Sequence, residues 1–258
     1  MTLSVLVTGG VGNVGRQLVC RLVQSNKTVR ILDLPTMDFS TLEGVKNVDI
    51  IKGNITDYDI VKKSVSGIDA VVHLAALLPP SSERDREKTF TINFTGTETI
   101  LKAMEHEIPD SILVFPSSVS TYGMTATEQP PITTDHLQNA IDIYAASKIE
   151  AETVVKNSSL RTVILRIAGI AVPEFLAPPA IWPFTSDQRV EMVHREDVVD
   201  ALVASIEIQN ERNKVFNIAG GPTWQLTGQK YVEDFYDFFG ASSNEAVYRQ
   251  EPGWMDWY

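Results

Sequence analysis

Four of the seven residues from Gly9 to Gly15 are glycine, in the stretch VLVTGGVGNVGRQL, which runs from a β-branched segment directly into an apolar helical pattern. Glycine takes φ > 0 without strain and, lacking Cβ, lets another group come against the main chain. The cluster therefore predicts a tight turn between a strand and a helix, with exposed N–H groups at the helix start that favour an anion. A turn of this kind commits the N-terminal segment to a β-α-β unit and points to phosphate as what it holds.

The rest of the chain repeats the alternation. LSVLVTG, TVRILD, VDIIKGN, DAVVHLAA, SILVFPSS and LRTVILRIA read as strands, with helices over residues 14–24, 58–66, 89–105 and 143–156 between them. Short apolar runs without a polar face are strands covered on both sides, as in a parallel sheet. The expected fold is doubly wound α/β of the Rossmann type, a single domain over residues 1–258. Beyond Ile170 the proline-rich AVPEFLAPPAIWPFTSDQRV breaks the pattern, before VEMVHREDVVDALVASIEIQ restores a strand and a helix, VFNIAG a strand and residues 230–239 a helix. A small C-terminal substrate lobe is expected, formed mainly by residues 168–190 and 220–258. The ending EPGWMDWY carries neither helix cap nor polar tail and reads as an artificial or truncated end.

Composition narrows the partners. A net charge of −11 over 258 residues disfavours nucleic acid and anionic membranes, and no apolar run is long enough to span a bilayer. A cytoplasmic protein is expected. Cys20, the sole cysteine, falls in the helical VGRQLVCRLV and is expected to be a small buried hydrophobe. His73, inside an apolar strand and without metal-spaced partners, is expected to be a hydrogen-bonded core histidine rather than a ligand, so no metal site is expected. Glu150, Glu152 and the run ERDREK (83–88) are expected on solvated faces.

In TGGVGNVG the glycines Gly9, Gly12 and Gly15 are spaced G-x-x-G-x-x-G, with Asn13 and Val14 supplying N–H groups at the helix start. Asp33 ends the strand TVRILD eighteen residues after Gly15, near the spacing at which a carboxylate reaches adenosine ribose hydroxyls. A carboxylate there repels a 2′-phosphate, and Leu34, Pro35 and Thr36 add no cation, so NAD is favoured over NADP. The competing reading of Asp33 is a turn residue or helix cap. Downstream, YAASK places Tyr144 and Lys148 four apart, on one face of a helix. An ammonium beside a phenol stabilises the phenolate and lets it exchange a proton with a substrate hydroxyl or carbonyl.

With TGGVGNVG, the Asp33 strand end, GNITD (53–57), HLAA (73–76), NFTGT (93–97), PSSVSTYG (116–123) and YAASK in place, the chain resembles the NAD-dependent epimerase/dehydratase family of extended short-chain dehydrogenases/reductases. Within it, the pattern is similar to that of UDP-glucose/galactose 4-epimerases. The resemblance implies that Asn54 and Ile55 flank the adenine, that Leu74, Ala75 and Ala76 line the cofactor, and that Asn93 contacts it from the next helix. It further implies that Ser118 hydrogen-bonds the substrate oxygen beside Tyr144, with Ser117 a second hydroxyl at that strand end. Lys148 would hold the nicotinamide ribose, Ser120 and Thr121 would contact substrate, and the helices 89–105 and 143–156 would form the faces of a homodimer.

Departures from the family pattern bear on the substrate. Val119 and Ser120 follow Ser118 where dehydratases carry an acidic pair, which argues against elimination. In LRIAGIAVP, Gly169 stands where nucleotide-sugar epimerases place an asparagine on the diphosphate, and Ile167 stands where Pro or Tyr near the nicotinamide is usual. Arg189 is left as a partner for phosphates or a carboxylate. The expected function is a nucleotide-sugar 4-epimerase-like NAD enzyme. The alternatives are a dehydrogenase of a free sugar, uronate or other small carbinol, and a sensor that binds NAD without turnover.

Overall fold

In the computed structural model, which describes residues 2–171, 178–208 and 213–258, seven strands form one parallel sheet. In chain order its members are β1 (Ser4–Thr8), β2 (Thr28–Asp33), β3 (Val48–Lys52), β4 (Ala70–His73), β5 (Ile112–Ser118), β6 (Arg161–Ile167) and, later, β9 (Lys214–Ile218). Their spatial order is β3-β2-β1-β4-β5-β6-β9. The order reverses between β1 and β4, and β1 carries the glycine turn at its carboxyl end, so that turn opens onto the switch point where doubly wound sheets bind ligands. The doubly wound fold is the one the alternating pattern predicts.

Successive residues of each strand feed opposite faces. Val5, Val7, Ile31, Val72 and Val114 face α1 (Asn13–Gln24) and α6 (Arg195–Ile206) through Leu18, Leu22, Val198 and Leu202. Leu6, Leu32, Val71, Leu113 and Ile164 face α2 (Tyr58–Val65), α4 (Gly96–Glu107) and α5 (Ile143–Asn157) through Val61, Ile100, Met104, Ala151 and Val155. Both faces are covered, which is why the strands lack polar alternation.

Side chains cap most helix starts. Asp57 accepts from the N–H groups of Asp59 and Ile60, Asp142 from Ala145 and Thr227 from Lys230, the last opening α7 (Gly228–Phe238). Helix α1 has Gly12 at this position and no side-chain cap, so its first N–H groups stay available to a ligand.

Four expectations are corrected. The helix expected over 89–105 runs longer, from Arg86 to Glu107, and is more widely wound in its middle: α3 (Arg86–Phe90), one wide helical turn (Thr91–Thr95) and α4 follow without a break in the helical backbone. The last helix begins at Gly228, two residues before its apolar pattern, where Thr227 caps it. Strand β6 ends at Ile167, and Gly169–Ala171 forms β7 in a second sheet with β8 (Arg189–His194) and β10 (Gln225–Thr227). Finally, Cys20 is exposed. Helix α1 buries Gly15, Leu18, Val19 and Leu22, and Cys20 lies around the cylinder from that stripe.

The second sheet, α7 and the C-terminal segment share their own core of Trp182, Phe184, Val190, Val232 and Met255. Residues 172–177, within the expected substrate lobe, lie outside the described residues. Among the described residues no helix is long and apolar enough to cross a membrane.

Candidate active site

The glycine turn is under steric compulsion. Gly9 has φ +68° and donates its N–H to the Leu32 carbonyl at 3.0 Å, and a Cβ on it would lie 2.8 Å from the Ala75 nitrogen. A Cβ on Gly15 would lie 2.3 Å from the Gly9 carbonyl oxygen, so the first turn of α1, with Asn13 and Val14, is pressed onto the loop. The uncapped helix start thus faces the carboxyl end of β1.

Beside it opens a cleft of about 410 Å³. Of the residues expected at the cofactor, Gly9, Gly12, Asp33, Asn54, Ile55, Leu74, Ala75 and Ala76 line it. Leu34, Met37, Leu77 and Leu78, apolar loop positions that carry no motif, line it as well, with Ile92 and with Lys88 of α3, which belongs to a run expected to be merely solvated. Asp33 is 9% exposed; its Oδ2 accepts the Val11 N–H at 3.1 Å and its Oδ1 that of Leu34 at 2.9 Å. It shapes the turn and also borders the cleft, so the two readings of this residue are compatible. Asn54 Oδ1 accepts the Thr56 N–H at 3.1 Å. Asn93 is committed inside the protein: its amide holds both the N–H and the carbonyl of Leu77 and donates to Ser147 Oγ. That makes it the anchor of the cleft wall.

His73 is 2% exposed, with Nδ1 2.7 Å from Thr8 Oγ1 and Nε2 3.2 Å from Thr97 Oγ1. Burial, with the Lys148 charge adding to it, pushes its pKa down to about 3. It is the neutral, hydrogen-bonded core histidine that its apolar strand predicts.

Helix α5 begins where Asp142 caps it and where the exposed Glu83 carboxylate accepts the N–H groups of Ile143 and Tyr144 at 2.9 and 3.0 Å. One turn on, the buried Lys148 Nζ donates to the Pro116 carbonyl at 2.7 Å, 4.5 Å above the Phe115 ring and 6.0 Å from the Tyr144 ring. That bond ties the helix to β5 two residues before Ser118. Burial pushes the Lys148 ammonium down to about 8, against the upward pull of Glu152. Burial, reinforced by the Asp142 charge, raises the Tyr144 phenol above its ordinary value. Ser118 Oγ accepts the Ser120 N–H at 3.1 Å, and Thr121 Oγ1 donates to the Ser118 carbonyl at 2.8 Å. The Ser120 hydroxyl is buried and has no hydrogen-bond partner in this state. Ile167 ends β6 opposite Ser118.

Two expectations change here. Glu152 is not on a solvated face: fully buried, it accepts from Ser117 Oγ at 2.6 Å and from Arg166 Nη2 at 2.8 Å. Burial alone would raise its pKa, but the Arg166 guanidinium and the Ser117 hydroxyl outweigh it and hold the carboxyl below its ordinary value. The Ser117 hydroxyl is therefore spent inside the protein. Arg189 reaches a carboxylate of its own chain: it grips Asp256 through Nε at 2.5 Å and Nη2 at 3.0 Å.

The sequence profile of the NAD dependent epimerase/dehydratase family matches residues 5–174. The chain is 29% identical over 178 residues to a 3β-hydroxysteroid dehydrogenase/Δ5→4-isomerase of monkeypox virus, covering 64% of this chain and 51% of that protein. To the enzyme of that name in Mycobacterium tuberculosis it is 30% identical over 156 residues, 58% of this chain and 41% of that one. The chain thus spans about half the length of the curated relatives it matches. Among solved structures, the UDP-N-acetylglucosamine 4-epimerase of Methanobrevibacter ruminantium, in complex with UDP-N-acetylmuramic acid, superposes with a TM-score of 0.80 at 24% identity, covering 97% of this chain and 86% of that one. The dTDP-glucose 4,6-dehydratase of Bacillus anthracis, in complex with NAD, gives 0.81 at 18% identity over 96% and 84%. These likenesses share the fold. With the glycine turn, the carboxylate-bordered cleft and the profile match across residues 5–174, the chain belongs to the NAD-dependent epimerase/dehydratase family.

Proposed function

We propose that this chain catalyses reversible hydride removal from a secondary carbinol, using NAD, with Tyr144 as acid/base, Lys148 as its electrostatic partner and Ser118 orienting the substrate oxygen. One observation carries the reading: Tyr144 and Lys148 stand one turn apart on α5, and Lys148 bonds the β5 carbonyl two residues before Ser118, at the carboxyl edge that also bears the glycine turn. The site fits the cofactor. Gly9, Gly12 and the N–H groups of Asn13 and Val14 would hold the pyrophosphate, Asp33 the adenosine ribose, and Leu74, Ala75 and Ala76 the apolar wall. NAD, when bound, supplies the hydride acceptor.

The residues' own part is proton traffic. In the direction of oxidation the carbinol proton passes to Tyr144 Oη as the C–H hydride leaves; in reduction Tyr144 returns it to the carbonyl oxygen. Burial favours the neutral phenol here, which suits the donor role. Accepting a proton requires positive charge to stabilise the phenolate, and the nearest candidate on the helix is Lys148, its Nζ 6.0 Å from the Tyr144 ring centre.

Two substrate classes fit this chemistry. A nucleotide-sugar 4-epimerase-like enzyme, which re-reduces its own ketone and accumulates no NADH, is supported by the structural likeness to sugar-nucleotide enzymes. A dehydrogenase of a free sugar, uronate or other small carbinol is supported by Gly169 and by the engagement of Arg189 with Asp256. A homodimer through α4 and α5 and a cytoplasmic location belong to the same proposal.

The test is incubation of the protein and NAD with UDP-sugars, aldoses and uronates, following absorbance at 340 nm together with sugar composition. Tyr144→Phe is expected to cut turnover by about a thousandfold, on the scale of lost general acid/base catalysis, while NAD affinity stays within about twofold. A Tyr144→Phe protein that turns over at the native rate removes Tyr144 from this role.

A further inference from the structure

Ligands of doubly wound sheets bind in the crevice outside the carboxyl ends of the strands. In this chain part of that crevice is occupied by residues 253–258. The Tyr258 ring stacks on Tyr122, in the turn that follows Ser118, with centroids 6.0 Å apart. The Trp257 carbonyl accepts the Ile132 N–H at 2.9 Å, and Met255 crowds Gly169, where a Cβ would sit 3.3 Å from its Cε. The Gln188 amide donates to the carbonyls of Gly253 and Met255 at 3.0 and 2.7 Å, so the segment is fastened along its length.

Asp256, with no exposed surface, is the centre of this strap. Its two oxygens meet Arg189 Nε and Nη2 side-on, the geometry in which a guanidinium holds a carboxylate or a phosphate. Thr125 Oγ1 donates to the same carboxylate at 2.5 Å, and Arg189 Nη2 also reaches the carbonyls of Thr125 and Glu128. The buried Arg166, on β6, is held by Glu152 in the same way. A diphosphate entering here would shed its hydration and find the half-buried Arg189 and the buried Arg166 each already paired with a carboxylate, in a chain of net charge −11.

We propose that the substrate half of this crevice accepts a secondary alcohol that carries no phosphoryl group, Asp256 standing where a substrate anion would otherwise pair with Arg189. The proposal rests on the carbinol reading above and decides between its two substrate classes.

The NAD-loaded protein is titrated calorimetrically with UDP and with UDP-glucose, and separately assayed with neutral aldoses and secondary alcohols. No binding of either nucleotide up to about 1 mM is expected, with NADH formed from a member of the neutral panel. UDP-glucose binding with a dissociation constant in the micromolar range, or its turnover, overturns the proposal. Asp256→Asn, verified as folded by circular dichroism, is expected to free Arg189 and raise UDP affinity at least about tenfold; a folded variant that gains none also overturns it. If the variant does not fold, the native titration still decides. If NAD binds but no alcohol yields NADH, the carbinol reading falls, and the UDP titration reports on the strap regardless.

Discussion

Asp33 shows how one side chain serves turn and ligand together. Each of its oxygens takes one backbone N–H, from Val11 and Leu34, and each keeps a lone pair for the cleft it borders. Asp33→Ala is expected to weaken NAD binding by about tenfold or more, the worth of a hydrogen bond to a charged group, and to relax discrimination against NADP. Fluorescence titration with both cofactors checks this, and an unaltered preference would remove Asp33 from the ribose site. His73 makes a different prediction. Its folded pKa of about 3 lies below the ordinary value of 6.5, so between those values the unfolded chain binds a proton that the native protein excludes. Stability from this residue is therefore complete above about pH 6.5 and is lost as the pH falls toward 3. Melting temperature should drop across that range, and His73→Gln should flatten the slope; a folded variant with the native slope assigns the acid sensitivity elsewhere.

Helix α5 joins the legible to the illegible. Tyr144 and Lys148 could be read from YAASK because both lie on one helix and their pairing is set by 3.6-residue geometry alone. Glu152, one turn further on the same face, looks like any solvated acid in sequence. What buries it is Arg166, on a strand fourteen residues away, and no local pattern reports that contact. The close approach of Gly96 to Ile55 escapes a local reading for the same reason, since the two meet only across the domain. Replacing Glu152 by Gln leaves the buried Arg166 uncompensated and should cost about 3–5 kcal/mol in chemical denaturation, whereas Glu152→Gln with Arg166→Met should recover much of that loss. Single and double variants of equal stability would mean that the pair is not coupled.

At the scale of the whole molecule, the seven strands and the cofactor edge followed from hydrophobic pattern and glycine spacing, while the C-terminal strap did not. Nothing local in EPGWMDWY says that Asp256 will find Arg189, sixty-seven residues earlier. The consequence is an unequal edge: the half under Gly9 and Asp33 is an open cleft, and the half under Ser118 is partly filled by protein. Binding to the open half needs no rearrangement of the strap, so it should stabilise the fold by simple mass action. At a hundred times its dissociation constant, NAD should add about 2.7 kcal/mol, a rise of about 5–10 °C in melting temperature for a domain of this size. ADP-ribose, which retains the adenosine and pyrophosphate that the glycine turn and Asp33 address, should reproduce most of that rise at equal concentration, and nicotinamide mononucleotide little of it. Equal shifts from the two fragments would place the binding energy away from the glycine turn and Asp33.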